Sequence, residues 1–186
     1  AGSGLQYTYH NAKNAETFGI ELDMKKSLDF IGLRGLSLVC NAAYIHSRVR
    51  FEEGAPERDR PLAGQSPYLV NARLFYQHDD KGISASLLYN RIGKRIESVG
   101  VPMQDQNEDI PDIYEMPRNS LDLTFSKKIG KAVEIKAGIQ DMLNSKIEYK
   151  QFVKLTDQNG GKREREQLVR SYRPGVDINV GVSLKF

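Results

Sequence analysis

The residues with the most chemistry to offer lie in three polar stretches, 51–66, 98–117 and 151–169. The second holds Asp105, Glu108, Asp109, Asp112 and Glu115 and not one Lys or Arg. Clustered carboxylate and amide oxygens are what calcium takes, so Asp105-Gln106-Asn107-Glu108-Asp109 is the first candidate. A calcium loop of the EF-hand kind, counted from Asp105, needs Gly at its sixth position and Glu at its twelfth. Ile110 and Met116 stand there instead, so the stretch fits a solvated loop. The third stretch holds the mixed run Lys162-Arg163-Glu164-Arg165-Glu166. From Gln151 to Arg170 the bases are Lys154, Lys162, Arg163, Arg165 and Arg170 and the acids Asp157, Glu164 and Glu166, a surplus of 5 − 3 = 2 positive charges. Such a surplus can meet an anionic ligand or a lipid phosphate, and it is equally what a solvated face carries.

Arg91, Lys94 and Arg95 sit just past an apolar stretch. A lipopolysaccharide phosphate would suit them, and snorkelling stems account for them with no ligand at all. His10, His46 and His78 fall on different strands without metal-ligand spacing. Cys40 is alone, which excludes a disulfide framework and fits a small packed or lipid-facing side chain. No nucleophile is accompanied by a base, and Gly160-Gly161 is no phosphate loop. The expectation is a non-enzyme with no catalytic, metal or cofactor residue, whose ligand contacts fall in 51–66, 98–117 and 151–169. A net charge of +3, with no basic face interleaved with aromatics, excludes nucleic acid as a partner.

The elements that carry these stretches are written in period two. From Val176 to Phe186, Val176, Ile178, Val180, Val182, Leu184 and Phe186 alternate with Asp177, Asn179, Gly181, Ser183 and Lys185. Successive strand side chains face opposite ways, so this is a strand with one oily and one wet surface. Phe18, Ile20, Leu22 and Met24 repeat the pattern against Gly19, Glu21, Asp23 and Lys25, and so do Tyr68 to Tyr76, Ile83 to Tyr89, Leu121 to Phe125 and Val133 to Ile139, while Leu36 to Tyr44 alternate more weakly because Val39, Ala43 and Ile45 make both faces apolar. With a strand end at Leu5 to His10, about eight strands are expected. Their connections alternate: short near Gly32, Gly82 and Gly130, long near Pro56, Asp109 and Gly160. Tight turns at one end and elaborate loops at the other describe an antiparallel up-and-down transmembrane β-barrel, whose spans need only about 9–11 residues each. Phe30, Tyr76, Phe125 and Phe186 gather toward the short-turn end and Phe18, Tyr44, Tyr89, Tyr149 and Tyr172 toward the long-loop end, as two interfacial belts would. The polar parity, with Glu21, Asp23, Lys25, Asp122, Glu134 and Lys136, is expected to line the lumen, and Phe186 the periplasmic rim.

Three motifs carry a family resemblance. Ala15-Glu16-Thr17-Phe18-Gly19-Ile20-Glu21-Leu22 resembles a late strand of TonB-dependent outer-membrane receptors, and Gln140-Asp141-Met142-Leu143-Asn144 is similar to an element of their penultimate strand. The third is the closing strand that ends on Phe186. Gln140 and Asp141 depart from the usual Asn-rich form. The resemblance covers the chain from Leu5 onward and implies the C-terminal portion of a barrel of about 22 strands. It also implies a plug elsewhere that contacts TonB, location in a Gram-negative outer membrane with its lipid and lipopolysaccharide, and active uptake of a scarce ligand such as an iron chelate, vitamin or oligosaccharide. Residues 1–4 then form a linker or scar and 5–186 the barrel segment. The alternatives are a soluble all-β ligand-binding module and a complete small eight-stranded outer-membrane barrel.

Overall fold

The period-two segments become strands, and their pairing sets one face of the sheet entirely by that parity. The computed structural model describes residues 11–55, 57–101, 110–156 and 162–184. Eleven strands follow in chain order: β1 (Asn14–Ser27), β2 (Leu36–Arg50), β3 (Tyr68–His78), β4 (Ile83–Ile92), β5 (Arg95–Ser98), β6 (Ile113–Glu115), β7 (Arg118–Ile129), β8 (Val133–Gln140), β9 (Ile147–Thr156), β10 (Lys162–Tyr172) and β11 (Asp177–Leu184). All pairings are antiparallel, in a seven-stranded sheet ordered β1-β2-β3-β4-β7-β8-β11 and a four-stranded sheet ordered β10-β9-β6-β5. The chain is therefore all-β and antiparallel. Leu5 to His10, Gly160-Gly161 and Phe186 lie outside the described residues.

The small sheet prolongs the last four strands of the large one. Ile92 pairs with Arg118, and Arg95 with Glu115, so both strands advance three residues and the register holds across the seam, shifting only beyond it between Ile96 and Ser98. What interrupts the ladder there is Pro117, which has no N–H to give. On the other flank Leu123 pairs with Ile139 and Glu115 with Tyr149, eight residues on one strand against ten on the other. Ile178 pairs with Ile139 and Tyr172 with Ile147, six against eight. The same two extra residues sit in the 141–146 connection, where Asp141 and Asn144 take φ of 51° and 43°. An even excess leaves each side chain on its face. The seam thus bends the sheet without inverting it, and the result is seven long antiparallel strands.

Cross-strand partners align the apolar parity into unbroken rows. Leu38, Leu74, Leu87, Leu123, Ile139 and Ile178 form one, and Leu36, Tyr76, Ala85, Phe125, Ala137 and Val180 the next. Cys40 lies in a third row between Met24 and Ala72. Among the described residues no second layer covers this surface: Ile20 is 77% exposed, Ile178 71% and Val180 73%, and only Val49, Ile96 and Tyr149 are buried apolar side chains. The chain exposes 13932 Å², against roughly 9,000 Å² for a compact monomer of its mass. A soluble sandwich would have its apolar face under a partner sheet, and Ile178, Val180 and Val182 have none among the described residues. β1 and β11 are the two edges of the sheet, and no ladder joins them among the described residues, so the described strands form an open sheet and not an eight-stranded closure.

The opposite face carries most of the polar side chains, with Val39, Ile45, Leu69, Phe75 and Leu88 among them. Asp23, Asn41, Asn71 and Asn90 occupy successive cross-strand positions. Asn41 Nδ2 donates to Glu21 and Asp23, each at 2.7 Å, Asn71 Nδ2 to Asn41 Oδ1 at 3.4 Å and Asn90 Nδ2 to Asn71 Oδ1 at 2.6 Å. This amide ladder ties four strands together with side chains that prefer water, and it shares its face with Lys25, Asp122, Glu134 and Lys136.

Three expectations need correction. The stretch 151–169 is not a loop: it is most of the β9–β10 hairpin, which the ladder holds from Lys162↔Thr156 to Tyr172↔Ile147. β10 carries charge on both faces, which hides it, whereas in β9 Ile147, Tyr149, Val153 and Leu155 do alternate with Glu148, Lys150 and Lys154, an alternation that the expectation of a loop passed over. Likewise 98–117 contains Ser98 of β5 and the whole of β6, with Arg118 opening β7. Tyr149 and Tyr172 do not edge the apolar band; they lie beyond the seam, stacked with ring centroids 6.4 Å apart.

The short turns obey their glycines. Gly35 has φ 76°, its N–H donates to Asp29 Oδ1 at 2.9 Å, and an added Cβ would stand 2.3 Å from the Gln77 carbonyl oxygen. Gly35→Ala is therefore expected to cost about 2 kcal/mol or more, from left-handed strain and a backbone clash together. Urea unfolding of the variant checks this; an unchanged midpoint would refute it.

Candidate functional site

The three long-side stretches meet where the sheet extends past the seam. Loop 51–66 is stitched to the strands beneath it. Val49 and Arg60 exchange backbone hydrogen bonds at 2.8 and 3.2 Å, Leu62 N donates to Ser47 Oγ at 3.1 Å, and Gly64 N donates to the carbonyl of buried Ile96 at 2.7 Å. Asp59 organises its base, accepting from Phe51 N at 3.2 Å and pairing with Arg48 at 2.9 Å. The Phe51 N–H first, then the Arg48 guanidinium, hold the Asp59 carboxyl below its ordinary value. A depressed carboxylate stabilises above its unfolded pKa and loses that contribution as pH falls through its folded one. Amide-exchange protection at Phe51, corrected for intrinsic rates, should accordingly fall below about pH 4. Asp59→Asn should flatten the response, and an Asn variant with the same pH dependence would remove Asp59 as its source.

The acidic stretch divides. Asp105, Glu108 and Asp109 lie outside the described residues. Asp112 accepts from Gly100 N at 2.8 Å and from the Tyr114 hydroxyl at 3.3 Å. Glu115 takes both Nε and Nη2 of Arg95, at 2.9 and 2.7 Å. These two carboxylates serve the strand ends. Among the described residues no group of His, Cys, Asp and Glu could hold a metal. His46 packs on Phe18 with ring centroids 4.9 Å apart, and His78 Nδ1 accepts from Lys81 N at 3.4 Å.

Arg91, Lys94 and Arg95 are not one patch. The unbroken register places Arg91 and Arg95 on the side of the apolar rows and Lys94 on the polar side. There the Lys94 ammonium lies 4.1 Å from the Tyr114 ring centroid and 3.8 Å from that of Phe152, while the two rings meet edge to face at 5.8 Å. Next to them Lys150 contacts Glu166 at 2.6 Å and Glu148 at 3.3 Å. The hydrogen bond to Glu166 raises the Lys150 pKa despite partial desolvation, and burial followed by the Asp112 charge raises that of Tyr114. Both groups are thereby fixed in their ordinary forms: an ammonium and a neutral phenol.

The run 162–166 splits by strand parity. Glu164 and Glu166 fall on the Lys94 side with Tyr114, Phe152 and Lys150, and Arg163 and Arg165 on the other. The outward side of the extension carries the row Arg95, Glu115, Tyr149 and Arg170. Arg170 lies over Tyr149 at 4.1 Å and contacts Glu97 at 3.7 Å. These residues, with Ile113 and Val169, border a shallow groove of about 290 Å³.

The inward cluster offers two aromatic faces, two ammonium groups and the three carboxylates of Glu148, Glu164 and Glu166, which suits stacking and charge-assisted recognition of a polar ligand. Sequence reading missed it. Its only trace was the β-prone pairs Ile113-Tyr114 and Phe152-Val153 inside otherwise polar stretches. No protein-family model, curated protein or solved structure matches the chain.

Proposed function

We propose that the chain is wall of a transmembrane β-barrel in a Gram-negative outer membrane, within a TonB-dependent receptor that takes up a scarce ligand. The observation that carries this reading is the uncovered apolar band. Seven strands share it in continuous rows, and the opposite face holds an amide and carboxylate ladder suited to a wet lumen. Unpaired edges cannot face lipid, so β1 and β11 would each meet a further strand of the barrel. Lipid and lipopolysaccharide would contact the apolar face, and TonB a plug formed by other residues. The ligand, an iron chelate, vitamin or oligosaccharide, would meet Lys94, Tyr114, Lys150 and Phe152 on the inward side of the extension. On this reading the side chains catalyse nothing.

Detergent dependence tests the proposal. The chain should aggregate in plain buffer, and the complete barrel that contains it should fold in detergent or liposomes and migrate differently in unheated and boiled gel samples. On intact cells an external protease should cut near 157–161 and within 51–66, and spare the turns at 79–82 and 130–132. A monodisperse monomer in plain buffer would overturn it and favour the soluble all-β binding module.

A further inference from the structure

At the upper rim of the apolar band, the outward face carries a cation whose neighbours are neutral. Arg91 follows Leu87 and Tyr89 on the apolar parity of β4, and its cross-strand partners are Val70 and Asn119. Asn119 Oδ1 accepts from Arg91 Nη1 and from the Tyr89 hydroxyl, each at 2.8 Å. The Tyr68 hydroxyl lies against the same guanidinium. Among the described residues Arg91 has no carboxylate partner, whereas Arg48 has Asp59, Arg95 has Glu115, Arg118 has Asp141 and Arg170 has Glu97. A half-buried guanidinium held only by neutral groups keeps its charge and several N–H donors for an anion.

The height of Arg91 says which anion. Ile83 and Arg91 bound the apolar parity of β4, eight residues apart. At ~3.3 Å per residue and a tilt of about 40°, this span is roughly 20 Å tall, close to the apolar height of a membrane barrel. Below the guanidinium run the row of Leu74, Leu87 and Leu123 and the row of Tyr76, Ala85 and Phe125, which acyl chains would cover.

We propose that Arg91, with Tyr68 and Asn119, binds the phosphate of an anionic lipid in the leaflet on the long-connection side, its acyl chains lying on these rows. The guanidinium fork matches two phosphate oxygens, which a zwitterionic headgroup offers without net charge. Snorkelling alone would leave the head in water; here Asn119 holds it on the sheet. The site rests on the membrane-wall reading.

The test uses the complete barrel that contains the chain, in phosphatidylcholine nanodiscs with a minor fraction of lipid A, and retained lipid is identified by native mass spectrometry. Wild type should be enriched in lipid A over phosphatidylcholine. Arg91→Gln should lose that enrichment by about tenfold, Arg91→Lys should lose less, and Arg163→Gln on the hairpin should not change it. The heat-dependent gel shift certifies that each variant has folded. Wild-type enrichment in Arg91→Gln overturns the site while leaving the wall reading intact, as does displacement of lipid A by inorganic phosphate alone. Failure of wild type to enter nanodiscs of any composition overturns both.

Discussion

Val180→Arg is expected to cut the fraction of the barrel folded into a bilayer by roughly 30-fold or more, although Val180 is among the most exposed large apolar side chains described, at 73%. The figure follows from about 2–4 kcal/mol for an arginine at the lipid-facing midplane of a barrel. Val180 sits near the middle of β11, opposite Ala137 and in the row of Phe125 and Tyr76. No core packing is lost, so whatever penalty appears belongs to the solvent the side chain meets. Ser183 is the control. It pairs with Glu134 on the polar face, so Ser183→Arg should stay within about 0.5 kcal/mol of wild type. Folding into liposomes, read from the heat-dependent gel shift, separates the two. A surface facing water would accept both arginines equally, and equal folding yields would sink the membrane reading.

That comparison has force because parity was legible from the residues. The alternation of Phe18, Ile20, Leu22 and Met24, and of Ile178, Val180, Val182 and Leu184, fixed which side chains share a face before any pairing was known. The register then joined every such run into one surface. Hydrophobic periodicity reports a strand only when its two faces meet different media. β10 has charge on both sides, a form periodicity cannot detect, while the alternation of Ile147, Tyr149, Val153 and Leu155 in β9 is blurred by Phe152 on its charged side. The aromatic clamp on Lys94 was hidden as well. Tyr114 and Phe152 are far apart in the chain and become neighbours only through the β6–β9 ladder. Conversely, Arg91, Lys94 and Arg95 read as a patch because sequence distance was short, while strand geometry sends Lys94 to the opposite face. The seam was illegible too. A two-residue excess shows only when both neighbours' registers are compared, although the Asp141-to-Asn144 motif marked the place.

At that seam Arg118→Ala should be the most damaging single truncation among the described ion pairs, at about 2–3 kcal/mol. Asp141 stands at φ 51° with its side chain 14% exposed, and neither carboxylate oxygen accepts a hydrogen bond from the described protein. What balances its charge is Arg118 Nη1 at 3.5 Å, itself 27% exposed. Asp141 cannot swing away to find water. Its N–H is bonded to Asp122 Oδ1 at 2.8 Å, its carbonyl accepts from Asn144 N at 2.7 Å, and Asn144 in turn receives Gly175 N at 3.1 Å. Removing the guanidinium would leave a held, nearly buried carboxylate alone. Breaking a fully buried pair costs about 3–5 kcal/mol, and the residual exposure here scales that down. Asp141→Asn removes the charge with the partner still present and should cost about 1 kcal/mol. Adding it to Arg118→Ala should therefore cost nothing further and recover up to about 1 kcal/mol, with a coupling of about 1–2 kcal/mol in a double-mutant cycle. Because the seam anchors the extension, amide protection in β9 and β10 should fall before that in β7 and β8. Additive losses in the cycle, or a uniform loss of protection, would show that the pair is incidental and that the backbone bonds alone hold the seam.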